Sequence, residues 1–116
     1  MNRNFRLTNS LDFMRVRRLG KSYAHPLVVL VVLPSPEDQT RVGIIAGRSV
    51  GKAVQRNRAK RMLREALRTL LPKVNPGWKI ILISRQPILN AELTEIQETL
   101  NQLFNKAKLI NDRTSN

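Results

Sequence analysis

Between Gly47 and Arg68 the chain reads GRSVGKAVQRNRAKRMLREALR, with eight basic residues (Arg48, Lys52, Arg56, Arg58, Lys60, Arg61, Arg64, Arg68) against one acid, Glu65. That is +7 from one short segment, just over half of the formal +13 of the whole chain. An α-helix sorts these residues into two sides. At about 100° per residue, Asn57, Lys60, Arg61, Arg64 and Arg68 fall within roughly a 100° arc, and Ala59, Leu63, Ala66, Leu67 and Leu70 gather opposite. The segment therefore folds as a helix packed by its apolar back. Its cationic front is held rigid, which suits the regularly spaced phosphates of a nucleic acid. A charged helix face is more often merely solvated. Here that reading is weak, because the excess charges repel one another at spacings of three and four.

The other segments supply what this helix packs on. Asn9 or Ser10 caps a short first helix with the apolar set Leu11, Phe13, Met14 and Val16, stopped by Gly20 as a C-terminal glycine. LVVLVVL at 27–33 is too β-branched and too short for a free-standing helix and reads as a buried strand ended by Pro34 and Pro36. RVGIIA at 41–46 is expected to pair antiparallel with it through the turn at 35–40. The basic helix runs from Ser49 or Val50 to about Leu71. WKIILIS at 78–84 gives a further strand. Asn90 caps a last helix with the stripe Leu93, Ile96, Leu100, Leu103, Phe104 and Ala107. An extra short strand fits around Lys21–Ala24. The expectation is an α+β two-layer sandwich, a small mixed sheet with three helices in the order αββ(β)αβα. At 116 residues this is a single domain, with residues 1–7 and 111–116 expected to be mobile.

Composition narrows the function. With 21 Lys and Arg, 8 Asp and Glu and a pI near 11.6, a polyanion is the natural partner. The chain has no cysteine, which removes disulfides and thiolate metal sites and fits a reducing cytoplasm. No signal-like apolar run opens the chain, and no stretch is long enough to span a membrane. A lone histidine, His25, cannot form a two-histidine acid–base pair, and its place before Pro26 reads as an exposed loop. The acids Asp12, Glu37, Asp38, Glu65, Glu92, Glu95, Glu98 and Asp112 are scattered, so no two-metal nuclease centre is legible. No catalytic residue and no metal ligand is assigned to this chain. A groove between the first helix and the sheet, with Phe13, Arg17, Lys21 and Tyr23, could hold a single strand, although Phe13 and Phe104 are more simply core residues. A DNA-reading helix-turn-helix is disfavoured, since no partner helix precedes the basic one by a short turn.

Arg56-Asn57-Arg58, led in by Gly51-Lys52-Ala53-Val54 and followed by Lys60, Arg61 and Arg64, resembles the signature of the bacterial ribonuclease P protein subunit. The likeness extends over about residues 6–108: Phe13 in the first helix, Gly20, the apolar strand, Arg41-Val42-Gly43-Ile44, the strand from Trp78, and the helix with Leu100, Leu103 and Phe104. The resemblance implies a cofactor protein for a catalytic RNA, in a ribonucleoprotein endonuclease that removes the 5′ leader from precursor tRNA. It implies Mg²⁺-dependent hydrolysis with the metal held largely by the RNA, and one protein per RNA. DNA and membrane are not expected partners. It also implies a left-handed β-α-β crossover, against the usual preference. Carried over by position, Lys52, Arg56, Asn57, Arg58, Lys60, Arg61 and Arg64 would bind the catalytic RNA, and Phe13, Arg17, Val29 and Val31 would line a cleft for the leader; on charge alone, Arg48 and Arg68 of the same basic segment join the first set and Lys21 joins the second. Arg17 and Val31 stand where aromatic residues are often found, which shifts the expected leader contacts from stacking towards charge. The alternative is a structural RNA binder of ribosomal-protein type with no part in cleavage.

Overall fold

A computed structural model describes residues 6–110. The first helix, α1 (Ser10–Leu19), is capped by Asn9, whose Oδ1 accepts from the backbone N–H groups of Leu11 (2.9 Å) and Asp12 (3.4 Å). Gly20 ends it in extended backbone (φ −75°, ψ 162°), not in the left-handed conformation that a C-terminal glycine usually supplies. The reason for glycine is close approach. A Cβ there would lie 2.4 Å from the Val16 carbonyl oxygen and 2.8 Å from that of Val32. Four strands follow in the chain: β1 (Lys21–Ala24), β2 (Val28–Pro34), β3 (Arg41–Ala46) and, after the basic helix α2 (Ala53–Arg68), β4 (Trp78–Ser84). Short 3₁₀ turns at Arg48–Val50, Leu71–Lys73 and Gln86–Asn90 link the later elements, and α3 (Leu93–Lys106) completes the order. Its N-cap is Glu92 and not Asn90, which belongs to the preceding turn.

The sheet order is β1-β2-β4-β3. This corrects the expected pairing of β2 with β3, because β4 lies between them, antiparallel to β2 and parallel to β3. Trp78–Ser84 is apolar towards both faces, so the stable place for it is the middle of the sheet. Residues 35–40 cross over its start and bond to it. Ser35 N–H donates to the Gly77 carbonyl (2.8 Å), and the Thr40 hydroxyl accepts from Trp78 N–H (3.3 Å) while donating to the Asn75 carbonyl (2.6 Å).

Alternation along β2 and β4 divides the core. Val28, Leu30, Val32, Ile80 and Leu82 face α2 and α3, where Ala59, Leu63, Leu67, Ile96, Leu100 and Phe104 close the main core. Val31 and Ile81 face the other way and pack with Val16 and Leu7, joined by the half-buried Phe13, Val29, Leu33, Ile45 and Ile83. The α+β class, mixed sheet and three helices are as expected. The two-layer description covers only the larger core, since α1 lies on the opposite face and makes a thin third layer. Central strands that are apolar on both faces require it.

Three smaller expectations change. Leu7, assigned to a mobile arm, is 2% exposed and donates its N–H to the Val42 carbonyl. The remaining arm and tail, residues 1–5 and 111–116, lie outside the described residues. Only Phe13 and Val16 of the proposed α1 set face inward, and Leu11 and Met14 are exposed. Leu93, placed in the α3 stripe, is also largely outside the core.

Candidate nucleic-acid interface

The back of α2 is buried as the spacing predicts, through Ala59, Leu63, Ala66 and Leu67, and this fixes the direction of everything on its front. Asn57, Arg61 and Arg68 are exposed there, and Lys60 and Arg64 on the same face are half-buried. Arg58 lies on one flank. Arg56 falls in line with Ala59 and Leu63 but one turn earlier, so it is half-buried on the inner side, where α2 meets the end of the sheet. The motif is therefore split between an outward face and an inner corner. Arg68 pairs with Glu65 at 2.9 Å, an exposed contact worth little to stability.

The start of α2 is built against convention. Its first turn contains no acid, yet Lys52 and Arg56 stand at the positive end of the helix dipole, with Arg58 in the next turn. Gln55 offers partial relief, its Oε1 accepting from Lys52 N–H at 2.8 Å. Arg48 adds charge from the 3₁₀ turn that leads in. This corner lies where the parallel strands β3 and β4 end, close to Arg85, which follows β4. Cations gathered at a helix N-terminus are locally unfavourable until an anion joins them.

The second surface lies on the α1 side of the sheet. Register places three rows there. Helix α1 covers the middle row, Ser22–Val31–Ile81–Gly43, with Val16 over Val31 and Ile81 and the Phe13 ring on Gly43. On one flank Asp12 holds Lys79 (3.2 Å), which also approaches Glu37 (3.7 Å). The other row, Ala24–Val29–Ile83–Ile45, is left partly open beside the helix among the described residues, exposed at Ala24 and half-buried at Val29, Ile83 and Ile45. At about 100° per residue, Asp12 and Arg17 project on opposite flanks of the sheet-facing line, so Arg17 overlooks the open row. An apolar floor with a cation above it can take the bases and phosphates of a single strand. The row leads towards the Arg48–Arg56 corner, since both lie towards the ends of β3 and β4.

Sequence comparison decides the family. The chain matches the Ribonuclease P family over residues 1–108. The ribonuclease P protein component of Herpetosiphon aurantiacus is 42% identical over 113 residues, covering 97% of this chain and 92% of the relative. That of Symbiobacterium thermophilum is 43% identical over 111 residues, covering 95% and 96%. This chain belongs to the ribonuclease P protein component family. Solved ribonuclease P proteins share its fold. That of Staphylococcus aureus superposes with a TM-score of 0.80 at 30% identity, covering 92% of this chain and 98% of that one. That of Thermotoga maritima gives 0.74 at 29%, covering 84% and 93%.

As a ribonuclease P protein component, the chain is part of a holoenzyme whose partner is ribonuclease P RNA. Among the described residues no three of His, Asp and Glu converge to hold a metal ion. His25 is not a free loop histidine. Its Nδ1 accepts from Leu27 N–H at 3.1 Å, which shapes the β1–β2 turn. No described helix is long and apolar enough to cross a membrane.

Of the residues expected to line the cleft, Phe13, Arg17, Val29 and Val31 share one face, and Lys21 does not. It pairs in register with Val32, so its side chain lies on the α2–α3 side, with Nζ 5.4 Å from the Tyr23 ring centroid. Val31 is buried beneath α1 and belongs to the cleft's base, not its surface. Ile45 and Ile83 were missed. Only their register with Val29 across β4 brings them to the row, and the expected β2–β3 hairpin hid that register.

Phe13 keeps its place because Gly43 has no side chain. A Cβ at 43 would stand 2.3 Å from the ring's Cζ. Gly43→Ala should therefore displace the ring and cost about 1–3 kcal/mol, as overpacking does. Adding Phe13→Ala should return most of that loss. Urea unfolding of the two single variants and the double variant measures the coupling, and simple additivity would contradict the contact.

Proposed function

We propose that this family member serves ribonuclease P by docking on the catalytic RNA through α2 and its N-terminal corner, while the open row beside α1 holds the 5′ leader of precursor tRNA. The observation that carries this reading is the placement of an apolar row with Arg17 above it, leading to the cationic start of α2. The catalytic RNA, with Mg²⁺ held largely by that RNA, supplies the hydrolysis that frees the mature 5′ end. This chain's residues neutralise phosphates and orient the strand. Arg48, Lys52, Arg56 and Arg58 draw RNA phosphates to the helix N-terminus, and Arg61 and Arg64 extend the contact along the helix. Val29, Ile83 and Ile45 accept the apolar faces of leader bases, and Arg17 meets a leader phosphate or base. One protein per RNA, acting in the cytoplasm, fits this division of labour. The ribosomal-type alternative has lost its support, because the matched relatives are ribonuclease P components over nearly their whole length.

The test is holoenzyme reconstituted with the catalytic RNA. Arg17→Ala should weaken precursor binding by about 1 kcal/mol, roughly fivefold, and leave mature tRNA, which lacks the leader, nearly unchanged. Arg58→Ala should raise the Mg²⁺ requirement or weaken assembly to a similar degree for both tRNAs. Equal losses for both tRNAs in the Arg17 variant would refute the leader cleft. Cleavage by protein free of RNA would refute the assignment of the chemistry.

A further inference from the structure

The outer face of α1 is unlike the rest of the surface. Leu11, Met14 and Leu19 are 72%, 62% and 59% exposed, three of the five large apolar side chains left in water among the described residues. They are not scattered. With Arg15 and Arg18 they occupy positions 11, 14, 15, 18 and 19, one continuous helical stripe turned away from the sheet. Exposed apolar residues at this spacing mark an interaction surface more often than isolated ones do.

Charge selects the occupant. Arg15 and Arg18 interrupt the apolar stripe, and the helix's one acid, Asp12, is turned to the opposite flank and paired with Lys79. A second copy of the chain would set these arginines against each other, within a molecule of net charge +13. An unpaired nucleotide suits the stripe better, with bases against the thioether and isobutyl groups and phosphates against the guanidinium groups. The stripe is also continuous with the open row. Around the helix, Phe13, Arg17, Met14, Arg18 and Leu11 follow one another from the sheet to the outer surface.

We infer that the outer face of α1 is a second leader subsite, which takes unpaired nucleotides lying 5′ of those held in the open row. This rests on the leader-cleft reading above. It extends the contact from the inner flank of α1, over Arg17, to Met14, Arg18 and Leu11.

The experiment uses reconstituted holoenzyme and two precursor tRNAs, one whose leader is only long enough to fill the open row and one extended at its 5′ end by unpaired nucleotides. The protein variants are Met14→Ser with Leu11→Ser, Arg18→Ala, and Arg17→Ala. All of these side chains are exposed, and thermal melts confirm that the fold is kept. Wild type should bind the extended precursor more tightly, and the Leu11/Met14 and Arg18 variants should lose roughly fivefold on that precursor and little on the short one. In the Arg18 variant the salt dependence should also flatten, while the Leu11/Met14 variant should keep the wild-type slope. Three outcomes overturn the proposal: no gain from leader extension in wild type, equal losses on both precursors, or concentration-dependent self-association abolished by the Leu11/Met14 change. Arg17→Ala separates the two levels. If it weakens the short precursor while extension has no effect, the cleft stands and the outer subsite falls.

Discussion

Affinity for ribonuclease P RNA should fall about a thousandfold as monovalent salt rises from about 50 to about 200 mM, if the cationic helix makes about six phosphate contacts. The basis is the face itself. Arg61 and Arg68 are exposed, Lys60 and Arg64 flank them, and the only acid on the helix, Glu65, is engaged with Arg68. Each phosphate neutralised releases condensed counterions, so the slope of log affinity against log salt counts contacts. Arg61→Ala with Arg64→Ala should lower that slope by about two contacts, and neither side chain belongs to the core, so folding should be kept. Binding isotherms at several salt concentrations give the answer. An affinity nearly independent of salt, or a double variant with the wild-type slope, would remove α2 as the docking face.

The largest stability effect is expected at Phe104. It is fully buried, the bulkiest such side chain among the described residues, and reaches from α3 into the core shared with α2 and the sheet. Phe104→Ala removes that volume at a junction that rigid helices and a central strand cannot close, which costs about 3–5 kcal/mol. Against a typical total of about 5–15 kcal/mol, such a loss leaves little. Urea unfolding should show a much lower midpoint with a similar slope. The consequence reaches function, because α3 supports the back of α2, and a loosened back no longer fixes the cationic front. A loss below about 1 kcal/mol would mean that the core is far more adaptable than its burial suggests.

Much of the candidate site is legible in the sequence. The two sides of the basic helix were set by spacing alone, and burial of Ala59, Leu63, Ala66 and Leu67 follows that spacing. The β-branched composition of Leu27–Leu33 marks a strand, and the short apolar run of Trp78–Ser84 marks another. Other assignments failed for specific reasons. Leu11 and Met14 look like core residues beside Phe13 and Val16, but a ten-residue helix crossing one sheet buries only one side. The charge of Lys21 suits the cleft, but strand parity turns it to the opposite face.

The sequence by itself determined which segments are helix or strand, which side of α2 is charged, and the absence of thiolate chemistry, because these depend on residue type and local periodicity. Tertiary structure alone decided that β4 separates β2 from β3, that Ile45 and Ile83 join Val29 in one open row, and that α1 lies opposite α2 and α3. Strand order arises from competition among segments distant in the chain for the doubly covered centre of the sheet. Periodicity within one segment reports that both faces need cover, but not which neighbour provides it.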